Sequence, residues 1–184
     1  MPSVWLAEVF EMESNLSRWR LRLPQPFQYA KRTLNDQLEA NQQSLYILMH
    51  ALYHQCRLVL HASLVPQFSG LGLPEGIPPE VTSVSSRIVW NSAEEISCLA
   101  ADLLNMDWDP AKIPAFVGYC LYASATVHTA VLVVSDALLA KRARMHLIST
   151  LRLLKSLKLY WSVLRKLVSV MAETYNSVLQ NVHC

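Results

Sequence analysis

The sequence predicts an all-α protein, a single domain of about six helices packed around one buried central helix. Three observations carry that expectation. Just over half of the 184 residues are hydrophobic and only four are glycine, which suits long packed helices and not the turn-rich pattern of small β proteins. Apolar residues recur three and four positions apart through most of the chain, the spacing of a helix with a buried face. No charged residue stands between Lys112 and Asp136, a run that reads as the central helix. A chain of this length buries about two thirds of the surface its unfolded form exposes, so the expected domain, residues 1–184, needs no disulfide or metal staple.

Residues 3–22 mix Val4, Val9, Leu16 and Trp19 with Glu8, Glu11, Glu13, Arg18, Arg20 and Arg22, the pattern of an amphipathic helix, and Pro24 and Pro26 stop it. Residues 27–40 are polar and aperiodic and read as a connector, with Asn41 placed as the N-cap of the next helix. From Gln42 to Leu64 the chain is almost wholly apolar apart from His50, His54, Arg57 and His61. These four recur at intervals of four, three and four, so a single polar seam runs along an otherwise buried helix that ends at Pro66.

The stretch FSGLGLPEGIPPE, residues 68–80, holds three of the four glycines and three prolines, and reads as an internal loop. Helical spacing resumes at 83–105 through Ile88, Ile96, Leu99 and Leu103, and Asp107, Asp109 and Pro110 mark a turn. The uncharged helix, 113–134, follows with Pro114 as its expected first residue. It is long enough to span a bilayer, which takes about 20 apolar residues. Yet Gly118, Tyr119, Tyr122, Ser124, Thr126, His128 and Thr129 fit a buried core helix better, and no membrane association is expected. A last apolar stripe, Leu147 to Met171, predicts helix with a break at 156–160, and Tyr160 and Trp161 are expected in the core.

The net charge of +2 hides an asymmetry. Between Asp136 and Glu173 stand Lys141, Arg142, Arg144, Arg152, Lys155, Lys158, Arg165 and Lys166 with no acidic residue among them. Such a basic surface meets nucleic acid, an anionic membrane or an acidic partner, or is a plainly solvated helix face. The cysteines, Cys56, Cys98, Cys120 and Cys184, are scattered and predict buried thiols of a reducing compartment. The N-terminal residues lack the charge and apolar core of a secretory signal, so an intracellular protein is expected.

His50 and His54 have the spacing of two zinc ligands, but Ala51 stands where a metalloprotease carries Glu, and Arg57 on the same stripe repels a cation. No metal site is expected. A phosphate-cradling glycine loop, a Gly-x-Ser-x-Gly elbow and a Glu-x-x-His di-iron pattern are all missing from the sequence, so neither catalytic residues nor a cofactor are expected. The groups expected to contact a ligand or partner are His50, His54, Arg57 and His61 of the seam together with Tyr119, Tyr122 and His128, converging across an apolar-walled pocket.

Three segments resemble the middle homology region, the fungal-specific transcription factor domain, of fungal zinc binuclear cluster transcription factors. The first is MHALYHQCRLVLHASLVP, residues 49–66, similar to that family's segment in which a Tyr-His pair and an apolar run precede a second His and a Pro, with Ala62 where the family commonly has Arg. The second is SCLAADLL from Ser97; the third is PAFVGYCLYASATVHTAVL from Pro114, followed by LRLLKSLKLYWSVLRKL from Leu151. Order and spacing match the C-terminal half of the region. The resemblance implies an all-α regulatory domain in the nucleus, controlling transcription of metabolic or biosynthetic genes. Its implied partners are other transcription regulators, a second copy in a homodimer, or a small-molecule effector. That family reads DNA through a six-cysteine zinc cluster, usually followed by a dimerising coiled coil. Neither occurs in these residues, so DNA contact is expected only indirectly or through a separate segment.

Overall fold

The computed structural model describes residues 2–69, 77–134 and 136–182, and every regular element among them is helical. In order these are α1 (Pro2–Leu21), α2 (Lys31–Glu39), α3 (Gln43–Ala62), α4 (Pro66–Ser69), α5 (Pro79–Leu104), α6 (Ala115–Val131), α7 (Ala137–Leu157) and α8 (Leu164–Val182). Single 3-10 turns at Gln25–Phe27 and Pro110–Lys112 join α1 to α2 and α5 to α6. Most of the expected 68–80 loop, residues 70–76, lies outside the described residues, as does Cys184.

Two helices exceed the expected six. The short α4 begins at Pro66, where Pro is well tolerated in a first turn. The other, α2, corrects the connector expected over 27–40. It needs only one large apolar knob, the fully buried Leu34, so it leaves no periodicity to detect. Its start is fixed by Thr33, whose hydroxyl oxygen accepts the Ala30 amide at 3.0 Å and lies 2.7 Å from the Tyr46 hydroxyl of α3.

Asn41 closes α2 instead of capping α3. It adopts φ 54°, while its amide donates to Leu38 and the Gln42 amide to Gln37, the paired bonds that terminate a helix through a left-handed residue. Asn is among the few side chains that tolerate this conformation.

The framework is α5, α6 and α7 packed on one another, with α3 lying chiefly against α5 and also touching α6, and α8 closing a further side of α6. Val117, Cys120, Leu121 and Val127 of α6 are buried against Ile96, Leu99 and Leu103 of α5, Leu153 and Leu154 of α7 and Leu164 of α8, within one continuous apolar core. Gly118 permits the α8 approach: a Cβ there would lie 2.7 Å from Leu164 Cδ2. The expected central helix is thus α6, although Pro114 precedes it in extended conformation and Ala115 is its first helical residue. At 17 residues it falls short of a bilayer, and no helix among the described residues is long and apolar enough to cross one.

The last stripe breaks between Leu157 and Leu164, both fully buried. Trp161 pins the corner, its indole N–H donating to the Ile113 carbonyl at 2.8 Å. Tyr160, expected in the core, points to solvent instead, because the corner turns it off the stripe. The cysteines are also corrected: Cys120 is buried, its thiol pushed up to about 12 by that burial, whereas Cys56 and Cys98 are exposed on the outer sides of α3 and α5.

Candidate functional site

The polar seam of α3 is real and lies under α1 and beside α5. Glu13 of α1 reaches down to it. Its carboxylate accepts from Arg57 Nε at 2.9 and 3.1 Å and from Arg57 Nη2 at 2.6 Å, a fork geometry that suits guanidinium and carboxylate. His61 Nε2 stands 3.4 Å from the same carboxylate, and the other ring nitrogen meets Ser85 of α5 at 3.1 Å. At the opposite end of the seam, His50 Nε2 donates to the Phe27 carbonyl at 3.0 Å, and Tyr29 and Tyr46 pack edge-on against its ring. His54 lies between them, buried, with Nδ1 unpartnered.

Burial shapes the protonation of this seam. It lowers His50 to about 4 and His54 to about 3, with Arg20 and Arg57 adding repulsion at His54. His61 is also lowered by burial, against the opposing pull of Glu13. The imidazoles are therefore neutral near neutral pH. Tyr29 donates to Asp102 at 2.9 Å, and burial and that carboxylate together push its hydroxyl far up.

A groove of about 520 Å³ opens between the end of α1 and α3, lined by Arg20, Gln28, Tyr29, His50, Tyr53 and Arg57 among others. That size suits a small molecule. The Tyr53 ring forms its aromatic floor, with the Arg20 and Arg57 guanidinium carbons 5.3 and 5.6 Å from the ring centre and Trp19 stacked at 5.7 Å. Arg57 is neutralised by Glu13, whereas Arg20 has no carboxylate partner among the described residues. The groove therefore presents one spare fork of donors beside a largely buried aromatic ring.

The second polar cluster is sealed between α5, α6 and α7. Ser97 Oγ lies 2.8 Å from His128 Nε2, 2.9 Å from Ser124 Oγ and 2.9 Å from Thr150 Oγ1. Ser124 donates to the Ala93 carbonyl at 2.8 Å and Thr150 to the His146 carbonyl at 2.9 Å. With both of those hydroxyl protons committed, His128 Nε2–H donates to Ser97 in the arrangement that satisfies the most groups. Burial lowers His128 to about 3, and its ring stacks on His146 at 5.3 Å with Trp90 edge-on to both. From His146 the contacts continue outward to Glu94 at 3.2 Å and on to Arg142 at 2.5 Å.

These positions overturn the expected convergence. His50, His54, Arg57 and His61 face α1, the α1–α2 connection and α5, whereas His128 faces α5 and α7, so no hydrogen bond among the described residues joins the two sets. Tyr119 is exposed beside Phe116, and Tyr122 is half-buried against the core. Among the described residues no group of three metal-ligating side chains comes together. Glu13, Arg20, Ser85, Ser97 and Thr150 belong to these clusters without having been singled out in the sequence. Within the α5–α6–α7 cluster, Ser124 and His128 carried a signal there, as polar residues in the uncharged run.

The basic residues also divide. Lys141, Arg144, Arg152 and Lys155 are exposed along α7, Arg142 turns back to Glu94, Lys158 stands at the end of α7, and Arg165 and Lys166 begin α8.

Over 159 residues, 85% of its length, the chain is 26% identical to the Zn(2)-C6 fungal-type transcription factor FTF1c of Fusarium oxysporum f. sp. lycopersici. It is 24% identical over the same length to the transcription factor FTF2 of that organism. It spans only 16% and 14% of those proteins respectively. No family model matches the sequence. No solved structure matches it either.

Proposed function

We propose that this chain is a transcription-regulatory module of the fungal zinc-cluster kind, equivalent to the C-terminal half of the middle homology region. The observation that carries the reading is the similarity to two Zn(2)-C6 transcription factors along 85% of the chain. The fold is consistent with it, since the segments that resemble the region form α3, the second half of α5, α6 and the α7–α8 corner around one core. In this reading residues 1–184 act as one non-enzymatic regulatory domain in the nucleus, through other regulators or a small effector. DNA is reached indirectly or by a separate zinc-cluster segment.

The effector reading rests on the α1–α3 groove, where Arg20 and Tyr53 suit a small aromatic carboxylate. Fusing the chain to an unrelated DNA-binding domain tests the function. The reading expects nuclear accumulation and altered output from a matching reporter. An inert fusion excluded from the nucleus overturns it. A thermal-shift screen of aromatic carboxylates tests the groove, with stabilisation expected in the parent and lost in Arg20→Ala.

A further inference from the structure

We propose that the solvent face of α7 docks a helix from a partner protein, one that carries acidic and apolar residues in a matching repeat. The face consists of Leu138, Lys141, Met145, Ile148, Arg152 and Lys155, spaced three, four, three, four and three apart. On a helix this spacing produces a nearly straight seam, the register in which a second helix lies alongside and side chains of each fill gaps in the other. From Leu138 to Lys155 the seam runs about 25 Å, close to five turns.

Its composition is unusual for a face turned to water. Leu138, Met145 and Ile148 are 70%, 58% and 53% exposed, so the seam offers three large apolar side chains. Lys141, Arg152 and Lys155, with Arg144 at the flank, have no carboxylate partner among the described residues. The nearby charges are already engaged: Arg142 holds Glu94, and the Asp136 carboxylate accepts the Leu138 and Leu139 amides. The spare cations and the apolar side chains therefore await a surface of opposite charge that also brings apolar groups.

An acidic amphipathic helix meets both needs. A phosphate surface answers the cations and leaves Met145 and Ile148 in water. A second copy of α7 answers the apolar pair and places Lys141 and Arg152 against like charges in either direction of packing, with no acid to relieve them.

The 184-residue chain can be titrated against a fluorescent synthetic peptide of about five turns bearing Leu and Glu in the matching repeat, with anisotropy as the readout. Binding that weakens with added salt is expected. The pair K141E and R152E weakens it at least tenfold, roughly, and so does the pair M145S and I148S. Both pairs alter exposed positions, and unchanged helical circular dichroism shows that the fold persists. A shuffled peptide of the same composition should bind at least about tenfold more weakly. The proposal is overturned if the amphipathic peptide does not bind, if the shuffled one binds equally well, or if M145S with I148S changes nothing. It is equally overturned if a DNA duplex or phosphatidylserine vesicles bind more tightly than the peptide at this face. A salt-sensitive dimer abolished by M145S and I148S would overturn it too, assigning the seam to a second copy.

Discussion

The two polar clusters bury histidine in opposite ways. Under α1, the seam of α3 is charged and reaches the surface: Glu13 and Arg57 keep 14% and 18% of their side chains exposed, and a single carboxylate joins two helices. Between α5, α6 and α7, His128 and its three hydroxyl neighbours are neutral and dry, and each helix of the framework contributes to the knot. A charged pair can separate and be rehydrated, so the first cluster is an attachment that can open locally. The neutral knot has no such route, because breaking it strands buried hydroxyls and an imidazole in an apolar core. The seam is therefore the attachment that can open locally, and the knot is what fixes the framework it is attached to.

Acid tests this contrast most severely. His50, His54 and His128 are held at about 4, 3 and 3, all below the 6.5 of the free side chain. Between those values the unfolded chain binds more protons than the folded one. Stability is thus complete above pH 6.5 and falls as pH descends toward the folded values. On the order of 5 kcal/mol should be gone by about pH 5, read from urea midpoints, and His128→Asn should flatten the pH dependence by about one proton.

The next largest effect is His128→Ala at neutral pH, which leaves a cavity and frees Ser97, at about 3 kcal/mol of global stability. Glu13→Gln removes the carboxylate from Arg57 and His61 and costs about 1–2 kcal/mol, discounted because the pair is partly solvated. Its distinguishing readout is hydrogen exchange: α1 amides should open while those of α5 and α6 keep their protection. If both regions lose protection equally, the seam is not a local attachment. Arg142→Ala is the smallest, within about 0.5 kcal/mol, because that guanidinium is half exposed and only caps the outer end of the knot.

The sequence reveals the architecture wherever apolar spacing repeats. It places α1, α3, α5, α6 and the α7–α8 break, because each buries a stripe long enough to set a period. It conceals α2, which buries one leucine, and it misassigns Asn41, because a residue that suits a helix start also tolerates the left-handed turn that ends one. The His50 to His61 seam is legible for the same reason as the helices. Its partner is not: Glu13 stands among other acids of an amphipathic helix, 44 positions from Arg57, and only tertiary packing selects it. The knot is still harder to read, since Ser97 and Thr150 each look like ordinary small residues, and their chemistry exists only where three helices cross. The groove shares this character: Arg20 is one of two arginines in α1 until the helix end places it over Tyr53.

The packing of α5, α6 and α7 also bears on how the chain is assembled during synthesis. These helices are consecutive, so they can meet by closing short connections, and such local contacts form quickly. Yet α1 and α3 leave the ribosome first and must wait for that framework. The charged residues of their seam, Glu13 and Arg57, remain comfortable in water meanwhile, so these two helices reach the later-made framework without exposing a wholly apolar surface.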